Sequence, residues 1–315
     1  MPRELLSIGD AARASGLSVD TIRVWERRYR RPRSLRLSSG HRRYEPEQVL
    51  WLRRMVEALA LGYKPAELVA LDDLSLCRLL ETAQASESEH DSVPLLFDHV
   101  RALEHDKLLS QLYLTYEALG PREFVEYSAG PLMTKVGRAW VDGKIGVRHE
   151  HFLTEVLEDF LRSARQALHD ASNHPPLVLA TLQGEPHGLG LQLAALICAL
   201  HRVPVHNLGT NIPHAEILQA VGETQARGVA ISVSLATGGV ETDRLLLDLR
   251  HELPSHVSLV VGGRGARGVR RGPRRIDYVK DFRGFEKWLE KTLGAELGPP
   301  HTRGENGLAA VSEGA

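Results

Sequence analysis

The spacing of hydrophobic residues changes twice along the chain, and each change marks a different architecture. Up to about residue 80, short apolar stretches alternate with arginine-rich segments. From residue 95 to residue 171, apolar residues recur every three or four positions with little proline, which is typical of packed helices. After Pro175-Pro176, short apolar runs alternate with helical stretches. The pattern therefore predicts a multidomain protein with α and α/β parts.

The first part of the chain predicts two short helices and a hairpin. We expect helices over 5–16 and Val19–Tyr29, with Gly16 ending the first and Ser18 capping the second. A proline stops further helix, so residues 31–44 are expected to form a hairpin. Two short helices joined by a tight turn with glycine are typical of a helix-turn-helix, and the hairpin would be its wing.

The rest of the chain divides into four segments. Residues 95–174 are expected to form a bundle of about four helices, and residues 175–294 a doubly wound parallel sheet, because apolar runs and helices alternate there with short loops. The acidic, polar stretch 81–94 is predicted to link the N-terminal domain, residues 1–80, to the bundle. The Gly- and Pro-rich stretch 295–315 is predicted to be a disordered tail.

Charge and cysteine content restrict the classes of function. The formal net charge is −1, but residues 23–54 carry eleven Arg and no Lys against three acids, a local excess of +8 that predicts contact with a polyanion. Two cysteines, Cys77 and Cys198, exclude a disulfide framework and a cysteine-rich zinc site. No apolar run reaches about 18 residues and no signal-peptide core is present, so we expect a cytoplasmic protein without a membrane span.

The helix-turn-helix segment and its wing resemble the MerR-type regulators. The residues that carry the resemblance run from Ser7 to Tyr29 (SIGDAA, then LSVDTIRVWERRY) and over 39–44 (SGHRRY). It covers about residues 5–75 and implies that the second helix enters the major groove of double-stranded promoter DNA, while the wing contacts the backbone.

Arginine is the side chain that suits this surface, because it can clamp phosphates and read guanine bidentately. An arginine-rich run can also be a solvated face, but here it lies on a helix-turn-helix frame. Trp25 and Tyr44 are more in keeping with core anchors than with base-stacking groups, although Tyr44 ends the wing motif. The candidate DNA contacts are Arg23, Arg27, Arg28, His41, Arg42, Arg43 and Tyr44.

A Glu-Pro-His-Gly-Leu-Gly loop follows the first expected strand of the sheet. Ligands of doubly wound sheets bind at the carboxyl ends of the strands, so His187 would be presented there. Gly188 and Gly190 would let a flat ligand approach the backbone. Glu185 could accept a hydrogen bond from the second ring nitrogen and make the imidazole a better metal ligand. The pattern alone leaves open a surface or helix-capping histidine.

Glu-x-His-x-x-Gly at 185–190 resembles the cobalamin-binding signature, which usually begins with Asp. The resemblance covers about residues 95–293 and implies that His187 is the lower axial ligand of the cobalt. It also implies that the hydroxyls of Ser232 and Ser234 lie along the nucleotide tail of the cofactor. Two glycines, Gly262 and Gly263, would make room for the ring of that tail.

Nine residues separate Trp140 from Glu150-His151, and this spacing resembles the CarH and LitR group of cobalamin-dependent MerR-type photoreceptors. The resemblance implies that Trp140 covers the upper face of the cofactor, against an adenosyl group that Glu150 and His151 help to hold. In that group a histidine commonly follows the tryptophan, whereas Val141 follows it here, which leaves open whether light is the signal.

The resemblance predicts a repressor that binds adenosylcobalamin, forms a homodimer or homotetramer on promoter DNA, and releases the DNA when light breaks the cobalt–carbon bond. Methylcobalamin or another cobalamin is an alternative cofactor, and a light-independent cobalamin sensor or a cofactor-free regulator is an alternative function. A cobalamin enzyme or methyl carrier fused to a DNA-binding module would need a substrate domain, typically a barrel of about 250 residues. The sequence has no segment of that length left over.

Overall fold

The computed structural model describes residues 5–38, 40–60, 63–73, 75–76, 79–80, 90–168, 174–234, 237, 240–266 and 276–294. Three hydrophobic cores organise them: one in the N-terminal domain, one between the bundle and a face of the C-terminal sheet, and one on the opposite face of that sheet. Within these ranges, no helix combines the length and the apolar character needed to cross a bilayer.

The N-terminal domain is a helix-turn-helix with a small antiparallel sheet, as predicted. Its third strand pairs with the other two. Residues 6–7 form a strand and not the start of a helix, because the Ser7 hydroxyl accepts a hydrogen bond from the Asp10 N–H and so fixes where the first helix begins. The elements are β1 (Leu6–Ser7), α1 (Ile8–Ser15), α2 (Val19–Tyr29), β2 (Leu35–Arg36), β3 (Arg42–Tyr44), α3 (Pro46–Ala60) and α4 (Pro65–Val69).

The bundle contains four helical rods, in agreement with the predicted number. Phe160 lies at its centre, where its ring contacts three other aromatic rings at centroid distances of 4.9–5.5 Å. Residues 81–89 lie outside the described part, and the first helix already begins at Ser92, inside the segment predicted as a linker. The rods are α5 (Ser92–Ala102), α6 (His105–Leu119), α7 (Pro121–Phe124) continued through a π-helical turn (Val125–Ala129) into α8 (Gly130–Val141), and α9 (Val147–Ala167).

The C-terminal domain is a five-stranded parallel sheet with helices on both faces, as predicted. The strand order is β5-β4-β6-β7-β8. The last strand was not expected, because two residues are too few to show an alternating pattern, and the tail at 295–315 lies outside the described residues. The elements are β4 (Leu177–Leu182), α10 (Leu189–Leu200), β5 (Val205–Ile212), α11 (His214–Thr224), β6 (Gly228–Ser232), α12 (Val240–Glu252), β7 (Ser258–Gly262), β8 (Asp277–Tyr278) and α13 (Phe282–Leu293).

A buried polar cluster joins the bundle to this sheet domain. Arg122 Nε in α7 donates to Glu286 Oε1 in α13 at 2.8 Å, and His201 Nε2 lies 2.9 Å from the same oxygen. Although burial disfavours the charged carboxylate, hydrogen bonds from His201 and Arg122 keep the pKa of Glu286 below its ordinary value. The bundle therefore packs against the face of the sheet that carries α10 and α13, next to the loops at the strand ends.

Candidate functional site

The loop after β4 places His187 beside a buried carboxylate. His187 Nδ1 lies 2.6 Å from Glu185 Oε1, and the same oxygen accepts the backbone N–H of His187 at 3.0 Å. The side chain of Glu185 is 4% exposed, whereas that of His187 is 48% exposed. Because Nδ1 faces Glu185, Nε2 is the ring nitrogen that remains to meet a ligand.

The carboxylate of Glu185 also connects two loops of the sheet. Its Oε2 accepts the backbone N–H of Ser234 at 2.7 Å and the hydroxyl of Thr237, both of which follow β6. The Glu185 carbonyl accepts bonds from Thr181 Oγ1 and from the backbone N–H of Asn211. The strand order reverses between β4 and β6, so the histidine loop lies at the switch point where doubly wound sheets bind ligands.

The hydrogen bonds around Glu185 and His187 keep the carboxylate of Glu185 ionised. Burial disfavours the carboxylate, but hydrogen bonds from His187, Thr237 and the backbone of Ser234 lower the pKa of Glu185 to about 2. The hydrogen bond to Glu185 in turn raises the pKa of His187 against the opposing effect of burial, and the charges of Glu185 and Glu150 add to this. Glu150 lies in the first turn of α9, so the charge of a bundle helix contributes to the raised pKa of His187.

Replacing Glu185 with glutamine should remove a pH-dependent part of the stability. In the wild-type chain, the depressed pKa contributes roughly 3 kcal/mol that is fully present above the ordinary value of 4.5 and is lost as the pH falls towards about 2. Urea unfolding at several pH values should show a flatter profile below pH 4.5 for Glu185→Gln. Glu223→Gln, on the exposed surface of α11, is the control. Equal slopes for Glu185→Gln and the wild type would contradict this role.

Close contacts within the protein leave no room for a Cβ at Gly190 and Gly263 and little room at Gly188 and Gly262. A Cβ at Gly190 would lie 2.5 Å from Ser232 Oγ, and one at Gly263, where φ is +97°, would lie 2.3 Å from the carbonyl oxygen of Val233. A Cβ on Gly188 would meet Thr210 Cγ2 at 3.1 Å, and one on Gly262 would meet Val279 Cγ2 at 3.2 Å. These glycines therefore let the strand-end loops approach one another, and their role in making room for a ligand stays a prediction.

The predicted upper part of the site lies at the junction of α8 and α9. Trp140 is half-buried and packs against the bundle core, while the guanidinium carbon of Arg53 lies 3.7 Å from the centroid of its ring. His151 Nε2 is 3.5 Å from Glu150 Oε2, but the His151 side chain is 73% exposed. The side chain of His151 therefore lies largely in solvent, whereas the charge of Glu150 raises the pKa of His187. The side chain of Val141 lies outside the described part of the structure.

The recognition helix α2 presents arginines to solvent. Arg23, Arg27 and Arg28 are exposed, and Arg23 forms an ion pair with Asp20 at 3.1 Å. Ser18 accepts the Thr21 N–H at 3.0 Å and fixes the start of the helix. Exposed guanidinium groups on a helix of this kind can reach phosphates and base edges.

The wing is held by α2, and one predicted DNA contact proves to be a core residue. Arg42 Nε lies 2.9 Å from Glu26 Oε2, and Arg43 is half-buried beside it, while His41 is exposed. Tyr44 is completely buried, and its hydroxyl donates to Glu26 Oε1 at 3.0 Å. Including Tyr44 among the DNA contacts was wrong, because its ring faces the core. Trp25 is also a core residue, as expected, and packs edge-on against Trp51.

Comparison with known families gives the same order of domains. The model of the MerR HTH family regulatory protein matches residues 6–73, and two models of B12 binding domains match residues 96–163 and 175–279. These ranges coincide with the helix-turn-helix, the bundle and the parallel sheet. The chain joins a MerR-type regulatory domain to B12 binding domains. It is thus a DNA-binding regulatory protein with a cobalamin module.

Relatives with curated descriptions resemble the chain along most of its length. The HTH-type transcriptional repressor CarH of Myxococcus xanthus is 28% identical over 91% of this chain and 98% of that protein. The HTH-type transcriptional repressor CarA of the same organism is 28% identical over 83% of this chain and 88% of the CarA chain. Among solved structures, the monomethylamine corrinoid protein of Methanosarcina barkeri has a TM-score of 0.51 at 12% identity, covering 62% of this chain and 96% of that one, which shows a shared fold.

The residues around His187 fit a cobalamin. Among the described residues, no group of three or more His, Cys, Asp or Glu could hold a bare metal ion. In a cobalamin the macrocycle already holds the cobalt, so a single imidazole from the protein is sufficient to bind it. Anchoring Nδ1 to a carboxylate fixes the ring orientation and strengthens Nε2 as a donor, as in other metal sites.

Proposed function

We propose that the protein is a cobalamin-dependent, light-responsive transcriptional repressor and not an enzyme. The observation that carries the proposal is the anchored His187 at the switch point of the sheet, with Glu150 acting on it from the bundle. His187 would hold the cobalt of adenosylcobalamin, and Trp140 and Glu150 would line its upper side. When bound, this cofactor supplies a cobalt–carbon bond that light can break.

The chain's own residues would convert cofactor binding into a change of DNA occupancy. A ligand that contacts both the bundle and the sheet domain favours the arrangement in which both sets of contacts form, and it can shift assembly only through such unequal binding. In this proposal the favoured arrangement is a homodimer or homotetramer whose recognition helices occupy neighbouring sites in a promoter. The repressor role is supported by the descriptions of CarH and CarA.

A light-independent cobalamin sensor is the second candidate, and methylcobalamin is the second cofactor. The sequence places Val141 directly after Trp140, where the photoreceptor group commonly has a histidine. The nearby His149 is buried and already engaged, since its Nδ1 accepts the backbone N–H of Gly146 at 3.0 Å at the start of α9. Because His149 is buried and does not directly follow Trp140, we do not expect it to replace the missing imidazole.

Size-exclusion chromatography with adenosylcobalamin or methylcobalamin, in the dark and after green light, separates these candidates. The cobalamin absorbance is recorded along the elution profile. We expect adenosylcobalamin to elute with a dark oligomer that becomes smaller on illumination. Bound cofactor without a change in size would favour the light-independent sensor, and protein that elutes colourless in the dark would contradict both.

A further inference from the structure

Helix α3 of the DNA-binding domain rests on the predicted upper part of the cofactor site. Arg53 lies over the ring of Trp140, well within the distance of a cation–π contact. Trp140 also packs against the bundle core, so its ring contacts both that core and the guanidinium group of Arg53. Burial of the Arg53 side chain disfavours its charged form and lowers its pKa.

Two ion pairs flank this contact and reach both halves of the cobalamin module. Arg54 Nη2 lies 3.5 Å from Asp142 Oδ1 at the end of α8, and both side chains are mostly buried. Glu57 Oε1 lies 3.5 Å from Arg264 Nη2 in the loop after β7. Residues 53, 54 and 57 occupy adjacent positions on α3, so one helix of the DNA-binding domain contacts the bundle and the sheet domain at once.

The turn between α1 and α2 faces the loop of His187, which is the predicted lower part of the same site. A cleft of about 680 Å³ has Leu17, Ser18 and neighbouring residues of the turn on one wall. Its other wall contains Pro186 and His187. The DNA-binding domain therefore contacts Trp140 through α3 and faces the loop of His187 through its turn.

We infer that the DNA-binding domain and the cofactor compete for this space: the α3 contacts with Trp140, Asp142 and Arg264 form a docking surface for the chain's own DNA-binding domain, and cobalamin binding displaces that domain. The inference rests on the function proposed above. Cobalamin needs the covered side of Trp140 and the space before His187. DNA needs the turn and the first residues of α2, because a recognition helix enters the major groove at that end. Docking thus opposes both ligands, and cobalamin frees the domain for DNA.

Charge reversal in the Arg54–Asp142 pair tests the competition directly. A ligand that binds only the undocked form has its affinity multiplied by the undocked fraction, so Arg54→Asp should tighten the binding of adenosylcobalamin in the dark about tenfold if roughly nine-tenths of the wild-type chain is docked. Without ligand, the same variant should have a larger radius of gyration in small-angle X-ray scattering. The swap Arg54→Asp with Asp142→Arg should return both quantities towards the wild type. Arg101→Asp, in an exposed pair with Asp98 on α5, is the matched control.

The outcomes separate this inference from the proposed function. Wild-type chain that leaves adenosylcobalamin unbound in the dark would contradict the proposed function, whatever the variants do. Wild-type chain that binds it, together with Arg54→Asp chain of unchanged affinity and size, would overturn only the competition. Tighter binding in Arg54→Asp that the swap reverses would support it, since neither residue is expected to touch the cofactor.

Discussion

Replacing His187 with alanine is expected to weaken cobalamin binding by at least roughly 10–100-fold, because even the loss of a residue that only supports a metal ligand has an effect of that size. The bound cofactor should also lose the absorbance change that accompanies ligation of cobalt by the protein. Both quantities can be obtained from one titration of the chain into adenosylcobalamin in the dark. Imidazole added to the Ala variant should partly restore the absorbance change, because it can occupy the position of the missing ring.

His206→Ala is the matched control for this experiment. His206 lies on β5 in the same domain and is exposed, so its loss removes an imidazole without affecting the loop after β4. The control should bind cobalamin like the wild type. Wild-type affinity and absorbance in the His187→Ala chain would show that the cofactor is held elsewhere.

The second large effect is expected on DNA. Removing two phosphate contacts by the double change Arg27→Ala and Arg28→Ala should lower the affinity for a short random-sequence duplex and reduce the slope of log affinity against log salt by about 2. Both side chains are exposed on α2, so the loss should come from the interface and not from unfolding. Fluorescence anisotropy at several salt concentrations measures both the affinity for the duplex and the slope of log affinity against log salt.

A control with the same net charge decides whether the effect is local. Arg101→Ala with Arg244→Ala removes two exposed arginines from the bundle and from α12, outside the N-terminal domain. This double variant should keep the wild-type salt slope. If both double variants lose affinity equally, the arginines of α2 act only through overall charge and α2 is not the recognition helix.

The local patterns of the sequence were sufficient for most elements of the fold. The capping serine and the left-handed Gly16 delimit α2 and α1, and the predicted bounds of Val19–Tyr29 agree with the structure. Strand β8 could not be predicted, because its two residues are defined by pairing with β7 and not by their own pattern. Packing between distant segments decides such elements.

The candidate site was predictable where its residues are neighbours in sequence. Glu185 and His187 are two positions apart, so their hydrogen bond could be anticipated, whereas the contact of Glu185 with Thr237 depends on the order of the strands. A core position for Tyr44 was already favoured from the sequence, but its hydrogen bond to Glu26 depends on how the wing packs on α2. The contact between Arg53 and Trp140 depends on how domains pack, which no local spacing specifies.

The central claim is that cofactor state sets DNA occupancy, and the most direct test is to recover the genomic fragments that the full chain retains under three conditions. These are no cofactor, adenosylcobalamin in the dark, and adenosylcobalamin after green light, with the cofactor spectrum recorded each time. The account predicts that specific promoter fragments are enriched only with adenosylcobalamin in the dark. Equal enrichment under all three conditions, with the cofactor spectroscopically bound in the dark sample that contains it, would contradict it.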